Sequence, residues 1–96
     1  MAKIKWTNLA IDDLKNINDY YFEDSPKYAE RLIDKIILKV DFLITNPKIG
    51  RKVPEFDKEF LRELIEGNYR IIYRLDSEIQ ISIVRIHHSS KELKNI

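Results

Sequence analysis

The sequence contains no cysteine, and only two of its 96 residues are glycine and three are proline. Without cysteine, the chain forms no disulfide and offers no thiolate for catalysis or metal binding. No apolar run approaches the roughly 18–20 residues of a membrane-spanning helix. Residues 1–7 are too short and too polar to form a signal peptide. We therefore expect a cytoplasmic protein with no membrane contact.

The charge is nearly balanced, with 17 basic and 16 acidic residues and a formal net charge of +1. This balance argues against a polycation that coats nucleic acid, so any cationic site must arise from local clustering. The hydrophobic fraction of 44% is ordinary for a globular protein. The length predicts a single domain over residues 1–96.

The first half of the sequence predicts a short strand followed by a helical hairpin. Residues 2–6 alternate in polarity as a strand does. Two amphipathic helices follow, with Thr7 or Asn8 as the first N-cap and Ser25, before Pro26, as the second. Pro47 cannot continue the second helix. The apolar stripes of these helices are Ala10, Leu14, Ile17 and Tyr21, then Ala29, Leu32, Ile33, Ile36, Ile37, Val40, Leu43 and Ile44.

The second half predicts a loop over residues 46–59 and then three strands joined by tight turns, at 60–67, 69–75 and 79–88. The last residues, 89–96, are predicted to form a weak helix or a frayed end. The expected fold is therefore α+β: an N-terminal strand, an antiparallel helical hairpin and a three-stranded antiparallel meander. The hairpin covers one face of the sheet, and the first strand can join the meander as a fourth.

Alternation along residues 69–75 places Arg70 and Arg74 on one face of the sheet and two tyrosines on the other. An unpaired arginine is costly to bury, so we expect the arginines on the open face. The turn before the last strand decides what joins them. A two-residue turn adds Arg85 and His87, whereas a three-residue turn adds His88 and turns Arg85 away.

Arginine and histidine together suit a phosphodiester, because guanidinium groups bind phosphate oxygens in pairs and imidazole moves a proton near neutral pH. The plainer interpretation pairs these arginines with acids such as Glu63 or Glu66 and gives them a solubilising role. Adjacent histidines on a strand point to opposite faces, and no metal-binding, phosphate-loop or serine-nucleophile motif accompanies them. We therefore expect no metal and no cofactor.

Several segments, taken in order, resemble the RelE/ParE family of toxins from prokaryotic type II toxin–antitoxin modules. They cover about residues 4–93 and are fairly specific as an ordered set. They are Trp6 with "A..DL..I..YY" at 10–21, "NPKIGRKVPE" at 46–55, "LREL" at 61–64, "YRIIYRL" at 69–75 and "IVRIHHSS" at 83–90. The family fold, a helical hairpin against a small antiparallel sheet, matches the element order expected above.

The resemblance implies one of two activities. RelE-like members look like ribonucleases that cut messenger RNA in the ribosome, and Arg70 matches a functional arginine of that branch. In that case Arg70, Arg85, His87 and His88 would be the catalytic residues. ParE-like members are associated with poisoning DNA gyrase without a catalytic site of their own.

The motifs favour the ParE-like branch, with its associations of gyrase inhibition and plasmid stabilisation. The "H.S" ending at 88–90 and the "NPKIGR" loop look ParE-like. Arg62 and Glu63 stand where RelE-like members carry lysines, and the late arginine and tyrosine of that branch are missing after His88. A further alternative is a degenerate toxin that acts only as a binding module.

The resemblance also implies a cognate antitoxin protein and a hetero-oligomer formed with it. DNA gyrase is the expected target, with the ribosome and messenger RNA as the alternative. The residues expected to bind target or antitoxin are the arginines Arg62, Arg70, Arg74 and Arg85. A sheet edge could accept an antitoxin strand and the helical hairpin an antitoxin helix. Apolar anchors could be Phe22, Phe42, Phe56 and Phe60, although core packing explains each equally well.

Overall fold

The computed structural model describes residues 1–94 and packs a sheet against a pair of helices. The elements in this part of the chain are β1 (Lys3–Trp6), α1 (Asn8–Phe22), α2 (Pro26–Asp41), a 3-10 turn (Phe42–Ile44), β2 (Arg51–Lys52), β3 (Leu61–Glu66), β4 (Tyr69–Leu75) and β5 (Gln80–His88). The expected α+β architecture is confirmed. None of the helices within residues 1–94 is both long enough and apolar enough to cross a membrane.

Both helices begin at the predicted caps. The Thr7 hydroxyl accepts a hydrogen bond from the Ala10 amide, and the Ser25 hydroxyl accepts one from the Tyr28 amide, each at 3.2 Å. The apolar stripe of the second helix reached Ile44, but α2 ends at Asp41 and its last turn tightens into a 3-10 turn.

The strand order is β1-β5-β4-β3-β2, with β3, β4 and β5 forming the predicted antiparallel meander. β1 joins it on the far side of β5 and runs parallel to that strand. β2 lies in the segment predicted to be a loop, so that prediction was wrong at residues 51–52, which pair with β3. Two residues are too few to show an alternating pattern.

The main core lies between the helices and one face of the sheet, as the alternation in β4 predicted. Tyr69, Ile71 and Tyr73 point toward the helices and are buried. They meet Ile17 of α1 and residues of α2, of which Ile36 is fully buried.

The other face of the sheet is not open, which corrects the sequence-based expectation. A second apolar cluster covers it and contains Val53, Leu61, Ile72, Val84 and Leu93, with Phe56 half-buried against it. Leu93 is brought there by a segment that has no helical turn within residues 89–94, and residues 95–96 of the predicted tail lie outside the described range. Phe56 is consequently packed and is not an exposed anchor, unlike Phe22, Phe42 and Phe60.

A β-bulge in β5 settles the register that the sequence left open. Arg70 pairs with His87 and Ile72 with Arg85, but the next pair is Tyr73 with Ile83, which leaves Val84 as the extra residue. His87 lies opposite Arg70, as a two-residue turn would place it, whereas Ser82 lies opposite Arg74, as a three-residue turn would place it. Each of the two alternatives is therefore correct for part of the strand. No single turn length could have produced this arrangement.

Candidate functional site

The Arg70 guanidinium lies on the face of the sheet that points away from the helices, where it is bound by two carboxylates. Its Nη1 and Nη2 atoms donate to both oxygens of Glu55, at 2.6 and 2.7 Å. Its Nε atom donates to Glu63 at 2.6 Å, and only 10% of the side chain is exposed. The hydrogen bond to Glu55 raises the pKa of Arg70 above its usual range, although burial opposes this, so the group stays charged. This residue pairs with Glu63, as the plainer sequence interpretation anticipated.

Glu63 is the buried centre of this network. Its side chain has no exposed surface, and its second oxygen accepts a hydrogen bond from Nε of Arg51 at 2.6 Å. Two guanidinium groups therefore share one buried carboxylate, and the second acid, Glu55, brings the four groups to charge balance. We call Arg51, Glu55, Glu63 and Arg70 the carboxylate–arginine network. A buried charge is tolerated only when it is paired and hydrogen-bonded in this way.

The network predicts acid sensitivity. The hydrogen bond from Arg70 is the main reason that the pKa of Glu55 falls from 4.5 to about 2, against the opposing effect of burial. A carboxyl group whose pKa is lower in the folded state stabilises the fold above its unfolded pKa, and this contribution is lost as pH falls. We expect the free energy of unfolding to decline between about pH 5 and pH 2, and urea titrations at a series of pH values measure it.

The Glu55→Gln variant isolates this contribution. It should be less stable than the wild type at pH 7, and its stability should fall less over the same acid range. Glu78→Gln in the exposed β4–β5 turn is the matched control, because Glu78 makes no ion pair with the described residues. Equal acid slopes for the wild type and Glu55→Gln would contradict the assignment.

The two histidines lie on opposite faces, as adjacent strand residues must. His87 is on the Arg70 side and is 9% exposed, and its Nε2 atom lies 2.9 Å from the Lys91 carbonyl oxygen. His88 is on the helix side, with its ring edge-on to Tyr69 at a centroid distance of 5.1 Å. The Ser90 amide donates to His88 Nδ1 at 3.1 Å, and the Ser90 hydroxyl oxygen lies 2.6 Å from the same atom.

The other three arginines expected to bind target or antitoxin are separated from Arg70, and each has its own acidic partner. Arg74 shares its face but lies at the other end of β4, where Nε donates to Asp76 at 2.6 Å. Hydrogen bonds from Ser82 and Arg74 outweigh the effect of burial and lower the pKa of Asp76. Arg62 pairs across from Tyr73, on the opposite side, and binds Glu59 and the Gly50 carbonyl oxygen.

Arg85 stands at the bulge and turns to α1, where it forms a two-pronged pair with Asp13 at 2.9 and 3.1 Å. Asp13 also accepts the Ile86 amide at 2.9 Å, so one carboxylate holds α1 against the part of β5 that β1 does not reach. The hydrogen bond from Asp13 raises the pKa of Arg85. Sequence reasoning missed both Asp13 and Glu55, since they lie 72 and 15 residues from their arginines.

The four residues considered for catalysis do not all converge on one point, although Arg85, His87 and His88 line a single cleft from which Arg70 is absent. Arg70 and His87 share one face, His88 lies on the other, and Arg85 is bound to α1. The three bonded nitrogens of Arg70 are already taken by carboxylates. A phosphate could reach this guanidinium only by displacing Glu55.

A separate cleft of about 580 Å³ lies between α1, the beginning of β4 and the end of β5. Three tyrosine rings line it, from Tyr20, Tyr21 and Tyr69. Tyr20 is 74% exposed and stands edge-on to Tyr21 at 4.8 Å. The Tyr69 hydroxyl donates to the Tyr21 hydroxyl at 3.3 Å, and burial followed by this contact raises the pKa of Tyr69. We call this space the tyrosine cleft.

The fold is that of toxin–antitoxin proteins of known structure. A chain of the chromosomal ParDE toxin–antitoxin system from P. aeruginosa superposes with a TM-score of 0.76 at 27% identity, covering 92% of this chain and 96% of that one. A chain of the toxin–antitoxin complex RelBE2 from Mycobacterium tuberculosis superposes with a TM-score of 0.59, covering 91% of this chain and 96% of that one. Its identity of 22% supports a shared fold alone.

Sequence comparison narrows this class to a family. Residues 4–93 match the family model described as the ParE toxin of type II toxin–antitoxin systems, parDE. Toxin RelE2 of Caulobacter vibrioides is 32% identical over 91 residues, which are 95% of this chain and 99% of that protein. The chain belongs to the ParE toxin family of type II toxin–antitoxin systems, within the RelE/ParE group that its motifs resemble.

Proposed function

We propose that this toxin acts in the cytoplasm, is restrained by direct contact with a cognate antitoxin, and inhibits DNA gyrase without chemistry of its own. The observation that carries the non-catalytic part is that carboxylates occupy both arginines considered for catalysis, Glu55 and Glu63 on Arg70 and Asp13 on Arg85. General acid–base cleavage of RNA needs an acid, a base and a cation within hydrogen-bond reach of one phosphate. Arg85, His87 and His88 line one cleft, but Arg85 is bound to Asp13 and His87 contacts the Lys91 carbonyl oxygen. Arg70 does not line that cleft and is bound to carboxylates.

The match to the ParE family model supports the choice of gyrase. An antitoxin partner is supported by the similarity to a chain of the P. aeruginosa ParDE system. The surface of the helical hairpin is compatible with such a partner, since Phe22, Leu38 and Phe42 are each more than half exposed. Exposed apolar side chains are typical anchors for a helix or strand supplied by a partner.

A ribosome-dependent ribonuclease is the second candidate, favoured by one cross-strand pair. Arg70 stands directly opposite His87, so a cation and a titratable group are neighbours on β4 and β5. The relative named Toxin RelE2 is compatible with this alternative. It requires Glu55 to leave Arg70, because the carboxylate occupies both outer nitrogens of the guanidinium.

The deciding experiment expresses the protein from a tightly controlled promoter and follows DNA and messenger RNA in one culture. We expect broken DNA and an induced DNA-damage response with intact transcripts, and relief of both when the product of an adjacent antitoxin gene is co-expressed. Purified protein should also inhibit supercoiling by gyrase.

Rapid transcript cleavage with intact DNA would reject gyrase in favour of the ribonuclease. Normal growth, together with no inhibition of purified gyrase, would reject both activities and leave a binding module. Arg74→Ala is the variant that tests whether a surface arginine contacts the target or the antitoxin. Arg74 is 44% exposed, and its partner Asp76 lies near the surface.

A further inference from the structure

The tyrosine rings of the tyrosine cleft are used by none of the functions above, although Arg85, His87 and His88, which were considered for RNA cleavage, also line it. It opens toward α1, and His87 also lines it, whereas Arg70 lies on the other side of the sheet and does not. Its volume of about 580 Å³ falls within the range of small-ligand sites, roughly 300–1,000 Å³. Its lining combines the three tyrosine rings with Arg85, His88 and Lys91.

The carboxylate of the cleft is already occupied, while donors remain. Asp13 is the carboxylate that lines the cleft, and it accepts three hydrogen bonds, two from Arg85 and one from the Ile86 amide. The Nη1 atom of Arg85 makes no hydrogen bond within residues 1–94, since only Nε and Nη2 bind Asp13. An incoming group therefore meets donors and positive charge, which favours an anion.

His88 adds a hydrogen-bond donor, and its contact with Ser90 defines which ring nitrogen donates. Because its Nδ1 atom accepts the Ser90 amide, the neutral ring carries its proton on Nε2. That N–H group has no hydrogen-bond partner in the described part of the chain. The Lys91 side chain contributes a further cation, because among residues 1–94 only the backbone of Lys91 is engaged, through the carbonyl near His87 and the amide that donates to the His88 carbonyl oxygen.

The tyrosine rings of the cleft favour a ligand that carries a flat ring next to its anionic group. Tyr20 and Tyr21 present faces at right angles to one another, with an interplanar angle of 87°. The large exposure of Tyr20 leaves its ring available for stacking. Stacking on aromatic side chains combined with contacts from cations is how proteins hold nucleobases and their phosphates.

We propose that the tyrosine cleft binds a nucleotide, with the base against Tyr20 and Tyr21 and the phosphate toward Arg85, His88 and Lys91. This inference goes beyond the proposed function and does not depend on it. Neither gyrase nor antitoxin enters the test below, so its failure would leave the proposed function unaffected.

The test titrates the full chain separately with AMP, adenosine and inorganic phosphate, using isothermal calorimetry and amide chemical shifts. AMP should bind about tenfold or more tightly than either fragment, because base and phosphate contacts combine in one ligand. The shifts should concentrate at α1 and at residues 85–91. The affinity should fall as salt is raised, since cations contribute to it.

Matched variants separate the cleft from general surface effects. Tyr20→Ala should weaken AMP binding about tenfold, whereas Phe22→Ala on the same helix, which lies outside the cleft, should not. Lys91→Ala should weaken AMP but leave adenosine unchanged, with Lys94→Ala as its control. Thermal unfolding confirms that each variant is folded.

Three results would overturn the proposal. AMP could bind no more tightly than inorganic phosphate, or Phe22→Ala could weaken AMP as much as Tyr20→Ala. An acidic, tyrosine-containing peptide could shift the cleft residues while AMP does not, which would assign the site to a protein ligand instead.

Discussion

Arg70→Ala is expected to lower the free energy of unfolding by about 3–5 kcal/mol. Within residues 1–94, the substitution removes the only hydrogen-bonded cation of Glu55 and one of the two cations of Glu63, whose side chain is fully buried. Breaking a buried pair from one side is strongly destabilising, because Glu63 then keeps only Arg51 in a site where its own side chain has no contact with water. Domains of this size have roughly 5–15 kcal/mol in total, so the loss is a large fraction of the stability.

Urea denaturation at pH 7 measures this loss, and Arg74→Ala is the control on the same strand and the same face. Arg74 is 44% exposed and pairs with Asp76 near the surface, so its removal should cost about 1 kcal/mol or less. Arg70→Lys should fall between the two, because lysine keeps the charge but loses the forked geometry. Similar costs for Arg70→Ala and Arg74→Ala would contradict a buried role for Arg70.

This expectation changes how toxicity data on Arg70 should be interpreted. A loss of toxicity in Arg70→Ala would reflect a smaller folded fraction as readily as a lost contact with a target. Binding is better tested by substituting exposed arginines, and by using variants whose free energy of unfolding has been measured.

Gly50→Ala is expected to cost about 2–5 kcal/mol, because a Cβ atom at this position has no room. It would lie 2.6 Å from the Glu63 carbonyl oxygen and 2.6 Å from the Tyr73 hydroxyl oxygen. The first of these is sheet backbone and the second belongs to a fully buried ring, so neither moves easily. The Gly50 amide also donates to the Tyr73 hydroxyl at 2.9 Å, and displacement would leave both groups unsatisfied.

Gly67→Ala provides the comparison at the chain's other glycine. Gly67 has a φ angle of +57° and no atom within 4 Å of the added Cβ, so alanine there costs only the left-handed conformation, about 1–2 kcal/mol. Urea denaturation of both variants at the same pH compares the cost of the steric clash at Gly50 with the cost of the left-handed conformation at Gly67. A larger loss for Gly67→Ala would mean that the loop before β2 moves away from Tyr73 without penalty.

Local patterns were sufficient for most of the fold. Both helix starts followed from capping residues, and the alternation in β4 correctly placed Tyr69, Ile71 and Tyr73 against the helices. The family resemblance was carried by motifs spread over the chain and is confirmed by the match to residues 4–93. These features depend on neighbours a few residues apart, which a single sequence displays.

The candidate site was harder, because its partners are distant in sequence. The bulge at Val84 changes which side chains share a face, and no residue type marks it. The pairing of Arg70 with Glu55 depends on the loop after β2 folding over the sheet, and the pairing of Arg85 with Asp13 depends on α1 crossing β5. Alternation alone therefore predicted an open cationic face where the molecule has a covered, neutralised one.

The parallel pairing of β1 with β5 has a consequence for synthesis of the protein. Residues 3–6 emerge from the ribosome first among the strands, yet their hydrogen-bonding partners are residues 80–83. Until β5 has been translated, β1 has no strand beside it and α1 lacks the sheet edge that Asp13 holds. The toxin consequently acquires its complete sheet only after residue 88 has been translated, and a nascent chain interrupted before β5 remains an incomplete fold.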